Sequence, residues 1–120
     1  MKRRGGAAAR PRAGEEPLRG GALERVVFDP DRARVELVVA GRRCVFEEVR
    51  ATTLLAPWDG TPGTVEWLRV AAADETTLAL ELRVRWREVP RVYRIVCGAL
   101  RLDAARGRRR RLRSSSRRTT

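Results

Sequence analysis

Histidine is absent from the 120-residue sequence. That absence excludes Ser-His-Asp and Cys-His nucleophilic catalysis, imidazole general bases and histidine-containing metal sites. Cysteine occurs only at Cys44 and Cys97. Two thiols without histidine do not complete a zinc site within one chain, so no metal or cofactor is expected. Both are read as small buried hydrophobes on separate strands, not as halves of a bridge. Long apolar runs are also missing. None approaches the roughly 18 residues that cross a bilayer as a helix. Arg3 and Arg4 followed by Gly-Gly-Ala-Ala-Ala start like a secretion signal, but the apolar stretch stops at Arg10 and Pro11, short of the about 7–15 residues an export signal needs. A cytoplasmic protein without membrane contact is the expectation.

Catalytic motifs are lacking too. No Walker run, GxGxxG, GxSxG or HExxH occurs. The acidic pairs are Asp29/Asp31, which brackets a proline, and the adjacent residues Glu47/Glu48 and Asp74/Glu75. Neighbours on a strand point to opposite faces, so Glu47 and Glu48 cannot converge on one ligand. The sequence reads as non-enzymatic.

What the chain has is arginine. Lysine plus arginine total 27 against 15 acids, a formal net charge of +12, and Lys2 is the one lysine. The excess sits at the ends: residues 1–21 carry a net +4 and residues 106–120 a net +8 without one acid, while residues 22–105 balance to zero. The expected organisation is a disordered basic arm over 1–21, a β-rich domain over 22–105, and a disordered Arg/Ser-rich tail over 106–120. The run Arg108, Arg109, Arg110, Arg111 and nearby Arg113 has two readings. It is a solvated end, or it contacts phosphates weakly, without sequence preference and with steep salt dependence.

Between Leu23 and Asp103 short β-rich runs alternate with turns. The spacing predicts strands over Glu24–Phe28, Arg34–Ala40, Arg43–Val49, Thr64–Val70, Leu78–Trp86, Arg91–Cys97 and Ala99–Leu102. Asp29-Pro30-Asp31, Gly41-Arg42 and Glu88-Val89-Pro90 supply tight turns, and residues 50–63 form one long connection. The clearest element is Leu78, Leu80, Leu82, Val84 and Trp86 alternating with Ala79, Glu81, Arg83, Arg85 and Arg87, one dry face and one wet face. Val65 with Trp67 and Leu68 with Val70 fall on opposite faces of their strand. The fold class is all-β: a single small domain of six or seven mainly antiparallel strands, as a sandwich or partly open barrel.

Two sets of candidate site residues emerge. Trp58 lies in a Pro/Gly-rich loop, either as a plug over an open end of the fold or as an exposed partner contact with Asp59 and Arg50 as rim charges. Arg83, Arg85 and Arg87 stand in a row that either grips phosphates together with Arg108–Arg111 and Arg113, or pairs with Glu36, Glu47, Glu66 or Glu81 across the sheet. The spacing of short strands and the segment Cys44-Val45-Phe46-Glu47-Glu48-Val49-Arg50-Ala51 resemble small bacterial all-β proteins, some of them immunity-like. The resemblance transfers no functional residue. Because the charge of residues 22–105 sums to zero, the preferred function is a small β-domain that binds a protein partner, accessory or immunity-like. The alternative is a nucleic-acid-associated protein with Arg-rich tails.

Overall fold

Period-two alternation and tight turns set the strand pattern. The computed structural model describes residues 10–54 and 58–104. Its strands are β1 (Gly21–Asp29), β2 (Arg34–Val39), β3 (Arg42–Glu47), β4 (Ala51–Thr52), β5 (Gly63–Ala73), β6 (Leu78–Trp86), β7 (Val89–Cys97) and β8 (Ala99–Ala104). They form one antiparallel sheet of eight strands in the order β4-β7-β6-β5-β1-β2-β3-β8. The all-β class and the antiparallel pairing agree with the sequence reading. The count exceeds six or seven because β4, inside the expected connection, pairs with Val96 and Ile95 of β7. No helix long and apolar enough to cross a membrane occurs among the described residues.

A single core holds the sheet. Val35, Leu37 and Val39 of β2, Cys44 and Phe46 of β3, Leu78, Leu80, Leu82 and Val84 of β6, and Ile95 and Cys97 of β7 are buried in one cluster. Each such aliphatic or aromatic side chain contributes about 1.5–3 kcal/mol. Residues from both halves of the sheet share this cluster, so the sheet curls over it. Leu18 and Leu23 join it from the chain before and within β1.

Three of the irregularities that the alternation does not reveal shape the core and the site. The first is a bulge in β5. Val65 pairs with Val84 and Trp67 with Arg83, leaving Glu66 as the extra residue. Such a residue reverses the in/out alternation after it. Val65, Leu68 and Val70 consequently all lie in the core, which corrects the expectation that they divide between faces. Trp67 turns to the outer face, where the Arg69 guanidinium stacks 4.2 Å from its ring centre.

The second joins β3 to β4 and β7 to β8. The β3–β8 ladder ends at Glu47 opposite Ala99. The Gly98 N–H then donates to the Glu47 and Glu48 carbonyls (3.0 and 3.1 Å), and the Arg50 N–H donates to Val96 O (2.8 Å). There the β4–β7 ladder takes over. Glu48 sits at φ +56°, and a Cβ on Gly98 would fall 3.0 Å from the Glu48 Cβ. The close approach favours glycine, because any larger residue would have to displace the Glu48 side chain.

The third is the segment 10–20, within the expected arm. Here it runs along β5: Gly14 N–H donates to Val70 O, Val70 N–H to Glu15 O, and Leu68 N–H to Leu18 O. Arg10 donates to the carbonyls of Gly98 (2.6 Å) and Asp74 (3.0 Å). Residues 1–9 and the tail 105–120 lie outside the described residues.

The outer face of β2, β3 and β8 carries an ion-pair network. Arg43 grips Glu36 with two donors (2.9 and 3.2 Å), and this fork holds the Glu36 carboxyl below its ordinary range. Arg34 and Arg101 share Glu47, and Arg43 and Arg101 share Asp103. Val45 lies on this face between Glu36 and Arg101, yet it is fully buried. Long arginine side chains such as its neighbour Arg101 can cover an outward valine with their aliphatic stems while their charged heads stay wet.

Candidate functional site

The sheet ends in a cavity at the β6–β7 hairpin. The two strands pair without a break through nine positions, from Leu78–Cys97 to Trp86–Val89. A two-residue turn, Arg87-Glu88, connects them. Arg87 adopts φ +55°, a conformation glycine takes without strain and other residues adopt at a cost of order 1–3 kcal/mol. The expected turn at Glu88-Val89-Pro90 is thereby corrected, since Val89 and Pro90 already belong to β7. Proline fits there because the alternation that turns the Arg94 N–H to Thr53 Oγ1 and Val96 O to Arg50 turns position 90 to the same side, away from β6. A missing N–H on a strand edge breaks no ladder bond.

Trp86 is the last side chain on the dry face of β6 and lies beyond the final core layer, half-buried. Gly63 passes beneath it so closely that a Cβ there would lie 2.7 Å from two indole carbons. The Trp86 Nε1–H donates to the Tyr93 hydroxyl at 2.6 Å, and the two rings meet edge to face with centres 6.5 Å apart. Such a pair is worth about 0.5–1.5 kcal/mol beyond its buried area.

The loop after β4 supplies the opposite wall. Asp59 Oδ1 accepts the N–H (2.9 Å) and hydroxyl (2.6 Å) of Thr61, a local turn that aspartate stabilises. These bonds, with the charge of Arg87 adding to them, hold the Asp59 carboxyl below its ordinary range. Trp58 donates its Nε1–H to Thr61 O at 3.1 Å. Its ring is half-buried, a position between the plug and the exposed contact. Trp58, Asp59, Trp86, Arg87, Val89, Arg91 and Tyr93, with Val26, Thr53, Leu54 and Thr61, enclose about 410 Å³.

The structure brings together only some of the expected site residues. Trp58 and Asp59 share the cavity. Arg50 does not line it; its guanidinium donates to the Thr77 hydroxyl and lies 3.9 Å from Glu48. The arginine row is divided. Arg83 and Arg85 both donate to Glu66, and these bonds lower the Glu66 carboxyl below its ordinary range. Arg87 leaves the row at the turn and joins the cavity instead. Arg108, Arg109, Arg110, Arg111 and Arg113 lie outside the described residues.

Trp86, Tyr93 and Arg91 are cavity residues that the sequence reading did not place in a site. The available signal was that the two aromatics lie on the same dry face of the two strands flanking one hairpin. Cys44 and Cys97 are free and buried. Burial pushes the Cys97 thiol up to about 11 and the Cys44 thiol higher still. No group of three or more metal-ligating side chains occurs among the described residues. Comparison with protein-family models, curated proteins and solved structures finds no match.

Proposed function

We propose that this chain is a small non-enzymatic β-domain that binds a protein partner, accessory or immunity-like in character, through the mouth of the Trp58–Trp86–Tyr93 cavity. The observation that carries the reading is the combination of aromatic walls, arginine rim and exposed apolar edge at one hairpin. Val89 lines the cavity and is 56% exposed. Tryptophan, tyrosine and arginine are the side chains that anchor protein interfaces, and their central pockets are apolar. The volume falls in the range of about 300–1,000 Å³ typical of recognition pockets. In architecture we count β3–β4 and β7–β8 as two bent strands, which makes the fold a partly open barrel of six strands with the cavity at one end. The hydrogen bonds at Glu48 and Gly98 support that count.

The alternative, a nucleic-acid surface on the sheet, is weakened by Glu66, which already occupies Arg83 and Arg85. Weak nonspecific contact of nucleic acid with Arg108–Arg111 and Arg113 remains compatible with a neutral domain.

The test places a photo-crosslinking residue at position 89 of the full chain, identifies the protein it captures, and measures the affinity of the purified pair. Trp58→Ala is expected to weaken that pair by about tenfold or more. A partner indifferent to Trp58 overturns the reading. So does undiminished RNA or DNA binding by a chain ending at Ala105.

A further inference from the structure

We infer that the cavity and the groove leading from it along β7 take an extended partner segment in which an apolar side chain is flanked by carboxylates. The inference rests on the reading of the cavity as a protein-contact surface and adds the chemistry of the partner.

Among the polar groups that the cavity leaves unpaired, donors outnumber acceptors. Both indole N–H groups are already used, Trp58 on Thr61 O and Trp86 on the Tyr93 oxygen. Their rings therefore present apolar faces. The Tyr93 hydroxyl, having accepted from Trp86, keeps its own proton, and no acceptor for it occurs among the described residues. Arg87 and Arg91 add two guanidiniums.

The ion pairing of these arginines can be followed in full on the acid side. All 15 side-chain carboxylates of the sequence lie within the described residues. None lies within 4 Å of Arg87, Arg91 or Arg94, whereas Arg34, Arg43, Arg69, Arg83, Arg85 and Arg101 are each paired. Arg94 faces Glu81 across the ladder, but Glu81 is turned to Arg69 at 3.3 Å. Asp59 is the one acid on the cavity wall among the described residues, set against two arginines, and one of its oxygens is taken up by Thr61. Glu88, in the same turn as Arg87, does not line the cavity. The site thus has a surplus of positive charge and of hydrogen-bond donors beside apolar walls. An acceptor-bearing apolar ligand complements it.

The footprint points to a chain segment. A second depression of about 370 Å³ shares Thr53, Arg91 and Tyr93 with the cavity and continues to Val92 and Arg94. Val92 is 48% exposed. Val89, Arg91 and Tyr93 stand on the cavity face of β7 and Val92 and Arg94 on its other face, so the depression runs along the edge of the strand, where Arg87, Arg91 and Arg94 with the exposed Val89 and Val92 offer charges and apolar groups to an extended acidic-apolar stretch.

The experiment selects short random peptides on the full-length protein in physiological salt. The expected consensus is an aromatic or aliphatic anchor with Asp or Glu at fixed spacing. Trp58→Ala and Arg91→Glu should each weaken the selected peptide by about tenfold or more, and replacing its acid by Lys should restore affinity for the Arg91→Glu variant. Arg87→Gly relieves the strained turn, so it folds, and it should still bind several-fold more weakly. An acidic consensus unaffected by Arg91→Glu reports only the attraction of the tail and overturns the inference. A neutral apolar consensus that depends on Trp58 also overturns it, while leaving the protein-contact reading intact. Failure to select any peptide overturns it too, and crosslinking at position 89 then decides the broader reading separately.

Discussion

Gly63→Ala tests whether the cavity wall is as tightly built as the geometry indicates. Gly63 is buried and its φ is not positive. On backbone grounds alone, alanine would stabilise the protein by about 0.4–1 kcal/mol, because the unfolded chain loses freedom. The added methyl, however, falls 2.7 Å from Cε3 and Cζ3 of Trp86 and 3.2 Å from a Val84 methyl. Ordinary contact needs the indole to retreat by roughly 1 Å. The ring is not free to do so, since its N–H is held by Tyr93 at 2.6 Å. Overpacking of this kind costs about 1–3 kcal/mol, and loss of the hydrogen bond adds about 0.5–1.5 kcal/mol if the ring swings away. The net expectation is a destabilisation of about 1–2 kcal/mol, or a drop in Tm of about 4–15 °C for a domain of this size. Urea titration followed by far-UV circular dichroism measures it, and tryptophan fluorescence reports the displaced indole. An alanine variant at least as stable as the parent, with unchanged fluorescence, would refute the claim that Gly63 and Trp86 form a packed wall.

Three further outcomes follow from the side-chain geometry. Glu66→Gln should release Arg83 and Arg85 and, if each gains one phosphate, steepen the salt dependence of DNA binding by about 1.8 in log–log slope; an unchanged slope means these arginines are not held by Glu66. Glu36 has its carboxyl lowered from an ordinary 4.5 by the Arg43 fork, so its stabilisation is present above about pH 4.5 and is lost as pH falls through the lower, folded value. The stability gap between wild type and Glu36→Gln, read from urea midpoints, should accordingly shrink between neutral pH and about pH 3, and a constant gap contradicts the assignment. Cys44 and Cys97, both buried with raised thiols, should resist a thiol-specific reagent at about pH 8 until denaturant is added, because only the accessible thiolate reacts.

The parts of the fold legible in the sequence are those that follow one rule without interruption. Leu78 to Val84 and Val35 to Val39 alternate regularly, and the inward set Leu78, Leu80, Leu82, Val84, Val35, Leu37 and Val39 is buried. The alternation failed at β5 because a bulged residue leaves no mark on composition; Glu66 looks like any outward-facing acid. It failed again at Pro90, where proline signals a turn unless its missing N–H lies on a strand edge. Trp58 and Asp59 were legible as a pair because loop composition and tryptophan both point to contact. Trp86 and Tyr93 were assigned to the dry face, which is correct in direction but not in depth: toward the β6–β7 turn the inner face opens into the cavity. Arg50 stands apart from the Trp58 cavity because the β4–β7 pairing, a long-range contact that composition does not reveal, carries it toward Thr77.

The pairing of β3 with β8 has a kinetic side. Its partners lie more than fifty residues apart, from Arg42 with Ala104 to Glu47 with Ala99. The β5–β6–β7 meander, by contrast, is built from neighbouring strands and short turns. Local hairpins form in microseconds, whereas distant pairings must first overcome the loss of chain entropy in closing the intervening loop. The meander is therefore expected to organise early, with Trp86 and Tyr93 already within reach of each other. The β3–β8 ladder, with the burial of Phe46 and Cys44, is expected to form in the late step. Substitutions at Leu80 or Leu82 would then slow folding, while substitutions at Leu100 or Leu102 would chiefly speed unfolding.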